Sequence, residues 1–275
     1  MRTPAWQSAA RYAALAVLAL MFLLPFYVIW RNAFSTQAWI TSARWQWSPN
    51  QLDWTNVTSL LSNPDVPVLT SLANSAIVSV LQTVGTVLIS MTAGYGLARF
   101  AGRPAKVVTG LTLFTLMVPA TVTFVPSFVM VSSLGWISTY RGLIIPTLFS
   151  AFATYLFRQH FLGFPRELEE AAFIDGANQW TTFWRVVAPN SLGMVAAVST
   201  ITFIGAWNAF LWPLLIAQDS SMYTVQVTLS SYMTSQGIRY PELFTGAMIA
   251  ILPVLAVFAF LQRWLVQGVE RSGID

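Results

Sequence analysis

The sequence predicts an all-α, polytopic membrane protein with six transmembrane helices. Two observations predict it. Of 275 residues, 56% are hydrophobic and only 9% are charged, against about 25% charged in an ordinary soluble domain. The few charges also bracket long apolar runs, close to the roughly 20 residues that a helix needs to cross the hydrocarbon core. A soluble chain of this size has too much surface to cover with so few charges. A bilayer supplies an apolar solvent instead.

The first span, about 12–30, reads YAALAVLALMFLLPFYVIW between Arg11 and Arg31. A basic start before an apolar run also describes a signal peptide. This run is longer than the roughly 7–15 residues of a signal core, and no small-residue cleavage site follows it, so a retained anchor is expected. An outer segment, 32–71, holds Trp39, Trp45, Trp47 and Trp54 with Pro49, Pro64 and Pro67. The prolines break any long helix and predict short amphipathic turns lying on the membrane. The second and third spans fall at about 74–97 and 107–131. The fourth, 142–161, is short, uncharged only from Gly142 to Phe157. The fifth and sixth lie at 194–217 and 243–262. Residues 1–275 form a single transmembrane domain, with no internal repeat.

Six spans place both termini on one side, and the basic residues say which. With that side cytoplasmic, the inner segments hold Arg2, Arg11, Arg99, Arg103, Lys106, Arg158, Arg166, Arg185, Arg263 and Arg271, and the outer ones Arg31, Arg44, Arg141 and Arg239. The bias satisfies the positive-inside rule. Trp30, Trp136, Trp212 and Trp264 sit near span ends, where aromatic belts form.

Composition excludes several chemistries. There is no cysteine, hence no disulfide framework, thiolate metal site or cysteine nucleophile. The basic residues are scattered between apolar runs and make no face for nucleic acid. The one lysine, Lys106, precedes Val107, so there is no P-loop and no ATP site of that kind. The one histidine, His160, excludes two-histidine zinc sites, and its expected role is packing or hydrogen bonding at a span end. No Asp, Glu, Lys or Arg lies well inside a span, whereas proton relays and voltage sensors require such groups. Energy coupling must come from a partner, from an ion held by carbonyls, or be absent.

One loop, 162–190, departs from its apolar surroundings. Pro165 suits a first helical position. Glu167, Glu169 and Glu170 follow, favoured by the positive end of a helix dipole. Gly176 after Asp175 suits a left-handed cap. Asn178 can cap a second helix whose Trp180, Phe183 and Trp184 share a face, with Arg185 in its last turns and Pro189 closing it. Helices of about ten residues are below the roughly 12–15 at which isolated helices are even marginal, so both need something to pack against. The lipid interface and a groove in a soluble partner are equally open readings.

At this loop the chain resembles a known family, the integral membrane permeases of ABC importers. Their EAA loop runs Glu-Ala-Ala, three residues, glycine, nine residues, then Ile-x-Leu-Pro. Here Glu170, Ala171 and Ala172 stand three residues before Gly176, and Val186, Val187, Ala188 and Pro189 follow after nine more. NSAIVSV, AGYGLARFAGR, GAWNAFLWPLL and LPVLAVFAFLQRWLVQG resemble successive segments of the carbohydrate-importer, maltose-permease-like branch. ATYLFRQHF and the charged tail VERSGID are similar to the glycerol-3-phosphate permeases of the same family.

The resemblance implies the fold of a type I importer permease with a cytoplasmic two-helix coupling loop, in a bacterial cytoplasmic membrane. It implies a small carbohydrate as cargo, with glycerol-3-phosphate or a glycerophosphodiester as the alternative. The implied partners are a second homologous permease, two cytoplasmic ATPase subunits that bind the ATP and Mg, an extracytoplasmic binding protein, and membrane lipid. This chain would bind no cofactor and hydrolyse nothing. Glu170, Ala171, Ala172, Asp175, Gly176, Trp184 and Pro189 would carry ATPase coupling. Asn74 and Gln82 in the second span, and Trp207, Asn208 and Trp212 in the fifth, are polar or amphipathic groups that either line a pathway or bind helices together. An ion-coupled transporter and a membrane scaffold are the readings from other classes.

Overall fold

The computed structural model describes residues 5–49, 52–63, 66–100, 102–235 and 237–270. Arg2, Pro64, Arg271 and the tail beyond Glu270 lie outside them. In chain order the helices are α1 (Ala5–Ala33), α2 (Gln37–Ile40), α3 (Thr55–Ser62), α4 (Val68–Arg99), α5 (Arg103–Met117), α6 (Ala120–Ser133), α7 (Tyr140–Ile144), α8 (Ala151–Leu162), α9 (Arg166–Ile174), α10 (Gln179–Thr182), α11 (Ala188–Asn190), α12 (Leu192–Trp207), α13 (Leu211–Ile216), α14 (Val225–Ser230) and α15 (Tyr240–Glu270). A small antiparallel hairpin pairs β1 (Met233–Thr234) with β2 (Gly237–Ile238), Met233 opposite Ile238.

Among the described residues, three helices are long and apolar enough to cross a membrane singly: Trp6–Ala33, Val68–Arg99 and Tyr240–Trp264. Two bent pairs pass the same test, α5 with α6 at 99° and Gln179–Asn190 with α12 at 77°. The expected spans map unevenly onto this pattern. Residues 107–131 are broken at Val118, which is extended (ψ 117°) because the following Pro119 disfavours the α region. Residues 142–161 form α7, a 3₁₀ turn over Ile145–Thr147 that contains Pro146, and α8. Ser150 starts α8, its hydroxyl oxygen accepting from the Ala153 N–H at 3.1 Å. With 12 residues, α8 is about 18 Å long, short of the roughly 30 Å hydrocarbon core. Residues 194–217 are interrupted between Trp207 and Leu211, where α12 gives way to α13.

The chain divides into two compact units, residues 1–69 with 227–252 and residues 70–226 with 253–275. In the first, α1 turns bulky apolar side chains such as Leu20 and Phe22 outward, while its last turn is tied down. The Asn56 amide donates to the carbonyls of Ala33 and Ser35, each at 3.0 Å, and the Thr245 hydroxyl donates to Ala33 at 3.0 Å. Arg31 is buried. Its guanidinium lies 4.0 Å from the Trp45 ring centroid and 4.8 Å from that of Trp39, and it donates to Asn32. Two tryptophans expected to lie on the membrane surface therefore enclose a cation.

In the second unit, α4 is 32 residues long, about 48 Å. One face of it is a buried stripe of small polar residues: Ser71, Ser75, Ser79, Thr83, Thr86 and Ser90. Small side chains allow close helix approach in a bilayer. Gly94 marks the tightest place, since a Cβ there would lie 2.7 Å from the Phe157 Cβ and 2.8 Å from the Arg158 backbone nitrogen. Two apolar clusters flank this helix. One gathers Val87, Met91 and Ala98 with Phe157, Phe161 and Val198, and the other gathers Val78 with Val131, Leu143, Ile144 and Ile216.

Candidate functional site

The loop between α8 and α12 is built by local signals that are readable one at a time. Pro165 is the N-cap of α9 (φ −57°, ψ 120°) rather than its first residue, and Glu167 and Glu169 fall in the first turn, where the helix dipole favours acids. The C-terminus closes as a Schellman motif. Gly176 adopts φ +84°, its N–H donates to Phe173 at 3.0 Å, and the Ala177 N–H donates to Ala172 at 2.9 Å. Asn178 then caps the next helix, its side-chain oxygen accepting from the Thr181 N–H at 2.8 Å.

Pro189 does not close that helix. Residues Phe183–Val187 form a π turn, in which the Ala188 N–H reaches the Phe183 carbonyl, and the helical path continues to Asn190. Proline has no N–H, so an unbroken α register would leave a bond missing at this point. The π turn changes the bonding register just before the proline, at the kind of place where such turns concentrate.

Two attachments hold the loop to the rest of its unit. The first is apolar: Phe183 and Val187 are buried in the cluster formed with Phe157, Phe161 and Val198, and Trp184 packs against it half-buried. The second is ionic. Glu169 is 5% exposed and accepts from Arg99 Nε at 2.8 Å and Nη2 at 2.5 Å, while its other oxygen accepts from the Tyr95 hydroxyl at 2.8 Å. The Tyr95 ring in turn lies 4.8 Å from Phe183 and 5.5 Å from Phe161. Removing one partner of such a buried pair costs about 3–5 kcal/mol, because the other charge is left without compensation.

The opposite surface of the loop is open. Ile174 is 86% exposed and Trp180 65%, with Phe173 and Leu168 also outward. Glu170, Ala171 and Asp175 are exposed, Ala172 is half-buried, and Pro189 is exposed within its helix. Trp184 joins the inner and outer faces, its ring 4.8 Å from Phe183 and 5.7 Å from Trp180. The three rings therefore do not form one outward face: Phe183 turns inward and Trp180 outward. In the sequence Glu169 stands only among the acids of a helix start and Arg99 only among the basic residues of the inner side, and Tyr95 carries no signal of its own. Three acids of like type stand within four residues, and nothing local says which one turns inward.

The proposed pathway residues are dispersed. Asn74 is buried with its hydrogen bonds committed: it donates to Ser221 and Tyr223 carbonyls at 2.8 and 3.0 Å and accepts from the Tyr140 hydroxyl at 2.6 Å. Trp207 is buried and stacked on Phe203 at 5.8 Å. The Trp212 indole donates to Gly142 at 3.2 Å. Asn208 is exposed and accepts from Gln226 at 3.2 Å. Gln82 lines a cavity of about 290 Å³ together with Thr86, Thr147, Ser150 and Thr202. His160 hydrogen-bonds the Ser191 hydroxyl at 3.0 Å, linking α8 to the start of α12.

Residues 85–271 match the family described as binding-protein-dependent transport system inner membrane component. The sn-glycerol-3-phosphate transport system permease protein UgpE of Yersinia enterocolitica is 33% identical, over 95% of both chains. The arabinooligosaccharides transport system permease protein AraQ of Bacillus subtilis is 30% identical, over 94% of this chain and 92% of that one. A chain from the crystal structure of a bacterial ABC transporter involved in import of the acidic polysaccharide alginate superposes with a TM-score of 0.81 at 22% identity, covering 96% of this chain and 98% of that one. The shared fold runs nearly end to end, and the family match takes in α9, the π turn and their anchors on α4. The chain belongs to the family of inner membrane components of binding-protein-dependent transport systems, the permeases of ABC importers.

Proposed function

We propose that the chain is one of two pathway-forming subunits of an ATP-driven importer, and that residues 162–190 are its coupling loop. The observation that carries this reading is the loop's two-sidedness. Its root is fixed by Glu169, Phe183 and Val187, while Leu168, Phe173, Ile174 and Trp180 stand exposed on a segment outside the apolar runs. An exposed apolar cluster on such short helices calls for a partner, and an importer permease without a P-loop must borrow its ATPase. ATP-driven closure of two ATPase subunits moves the loop, and the loop turns the helices between inward- and outward-facing states. In this arrangement six crossings leave both termini in the cytoplasm, with the bent and broken helices covered by the second permease. An extracytoplasmic binding protein delivers the cargo. ATP and Mg stay with the ATPase, and this chain catalyses no reaction.

The cargo we infer is a small carbohydrate or oligosaccharide, as the names of relatives such as AraQ suggest. A second reading, glycerol-3-phosphate or a glycerophosphodiester, is favoured by the 33% identity to UgpE. Reconstitution of the complete complex in vesicles tests both. Binding-protein-stimulated ATP hydrolysis with accumulation of a labelled oligosaccharide supports the first, and accumulation of labelled glycerol-3-phosphate the second. Uptake that ignores ATP and collapses with the ion gradient overturns the importer reading.

A further inference from the structure

In α9 the only buried residue is Glu169. That inverts the usual order, in which a short surface helix is held by an apolar stripe and charges face outward. The carboxylate accepts from three donors, two on the Arg99 guanidinium and one the Tyr95 hydroxyl. Tyr95 and Arg99 are four residues apart, hence on one face of α4. Arg99 also reaches the Phe164 carbonyl at 3.4 Å, just ahead of α9. Stability alone does not explain this arrangement, because well-packed apolar residues in place of a buried ion pair are often as stable or more so. Two N–H groups of the guanidinium fork converging on one carboxylate oxygen, with the Tyr95 hydroxyl on the other, do supply direction: charge-assisted bonds from fixed donors set rotation as well as distance, where an apolar contact tolerates sliding.

We propose that Glu169 is a positioning residue that latches α9 to the end of α4, so that displacement of the loop is delivered to the long helix as a rigid movement. The proposal rests on the coupling-loop reading above. Through the latch, force entering at Ile174 and Trp180 passes along α9, across Glu169 to Tyr95 and Arg99, and into α4. Phe183 and Val187 carry a parallel route into α8 and α12.

The test replaces the pair by apolar residues, Glu169→Leu with Arg99→Leu, in the complete reconstituted complex. The expected variant melts within a few degrees of the parent and retains the ATPase on co-purification. It hydrolyses ATP, but imports about tenfold less cargo per ATP. Import per ATP equal to the parent overturns the latch. Should the double variant fail to assemble, Arg99→Lys keeps the charge without the fork. It is expected to assemble and melt normally with import per ATP lowered several-fold, and normal coupling again overturns the proposal. Ile174→Glu separates this from the underlying reading, because it should shed the ATPase altogether. A complex that keeps its ATPase despite Ile174→Glu defeats the coupling-loop reading, whereas parental coupling in the leucine pair defeats the latch alone.

Discussion

Gly176 shows what a single residue decides. No atom lies within 4 Å of where its Cβ would be, so space permits any side chain, but φ is +84°. Backbone strain sets the penalty, about 1–2 kcal/mol for an ordinary L residue in the left-handed region and least for asparagine. Gly176→Val is expected to insert and assemble normally but to hydrolyse ATP with reduced uptake, while Gly176→Asn stays close to the parent. Uptake per ATP in reconstituted vesicles checks both, and unchanged uptake in the valine variant would contradict the assigned turn. This position was legible, because glycine after a short amphipathic run has one common use. Glu169 was not. Its burial depends on the rotation of α9, which is set by Arg99, 70 residues earlier. In the sequence that arginine reads only as one of the basic residues near a span end.

At the scale of elements, a long helix over the second expected span was legible because the apolar run is uninterrupted up to Arg99, which ends α4. The third and fourth were less so. A charge-free run reports polarity, not straightness, and both runs contain proline-directed breaks, at Val118–Pro119 and around Pro146. The π turn left no signal beyond Pro189 itself. Packing between elements makes a matched pair of predictions. Gly94→Ala places a methyl against the Phe157 Cβ and the Arg158 backbone, an overpacking that costs about 1–3 kcal/mol and should lower the melting temperature in detergent. Gly110 sits in α5 with nothing within 4 Å. Gly110→Ala should be neutral or stabilise by about 0.4–1 kcal/mol, since alanine has less freedom to lose on folding. Equal melting shifts in the two variants would contradict the close approach of α4 to α8.

For the whole molecule, the absence of cysteine makes orientation measurable. Single cysteines at exposed positions report sidedness without background. Ala43→Cys should react with a membrane-impermeant maleimide in intact cells, and Gln179→Cys only in inverted vesicles. Labelling of Gln179→Cys from outside would reverse the topology and remove the coupling role. The class of the fold was legible from composition, because solvent choice is a bulk property of the chain. The division into two units was not, since it depends on pairings such as that of Thr245 with Ala33 that span distant parts of the sequence. The Arg99–Glu169 pair also carries a consequence in time. At about 5–20 residues per second of synthesis, its 70-residue separation means that the arginine emerges roughly 4–14 s before its carboxylate exists. During that interval it is a cation without its partner at the end of a nascent helix, and under the proposed topology it would favour the cytoplasmic side for that end. The same charge is afterwards paired with a carboxylate of the loop it comes to hold.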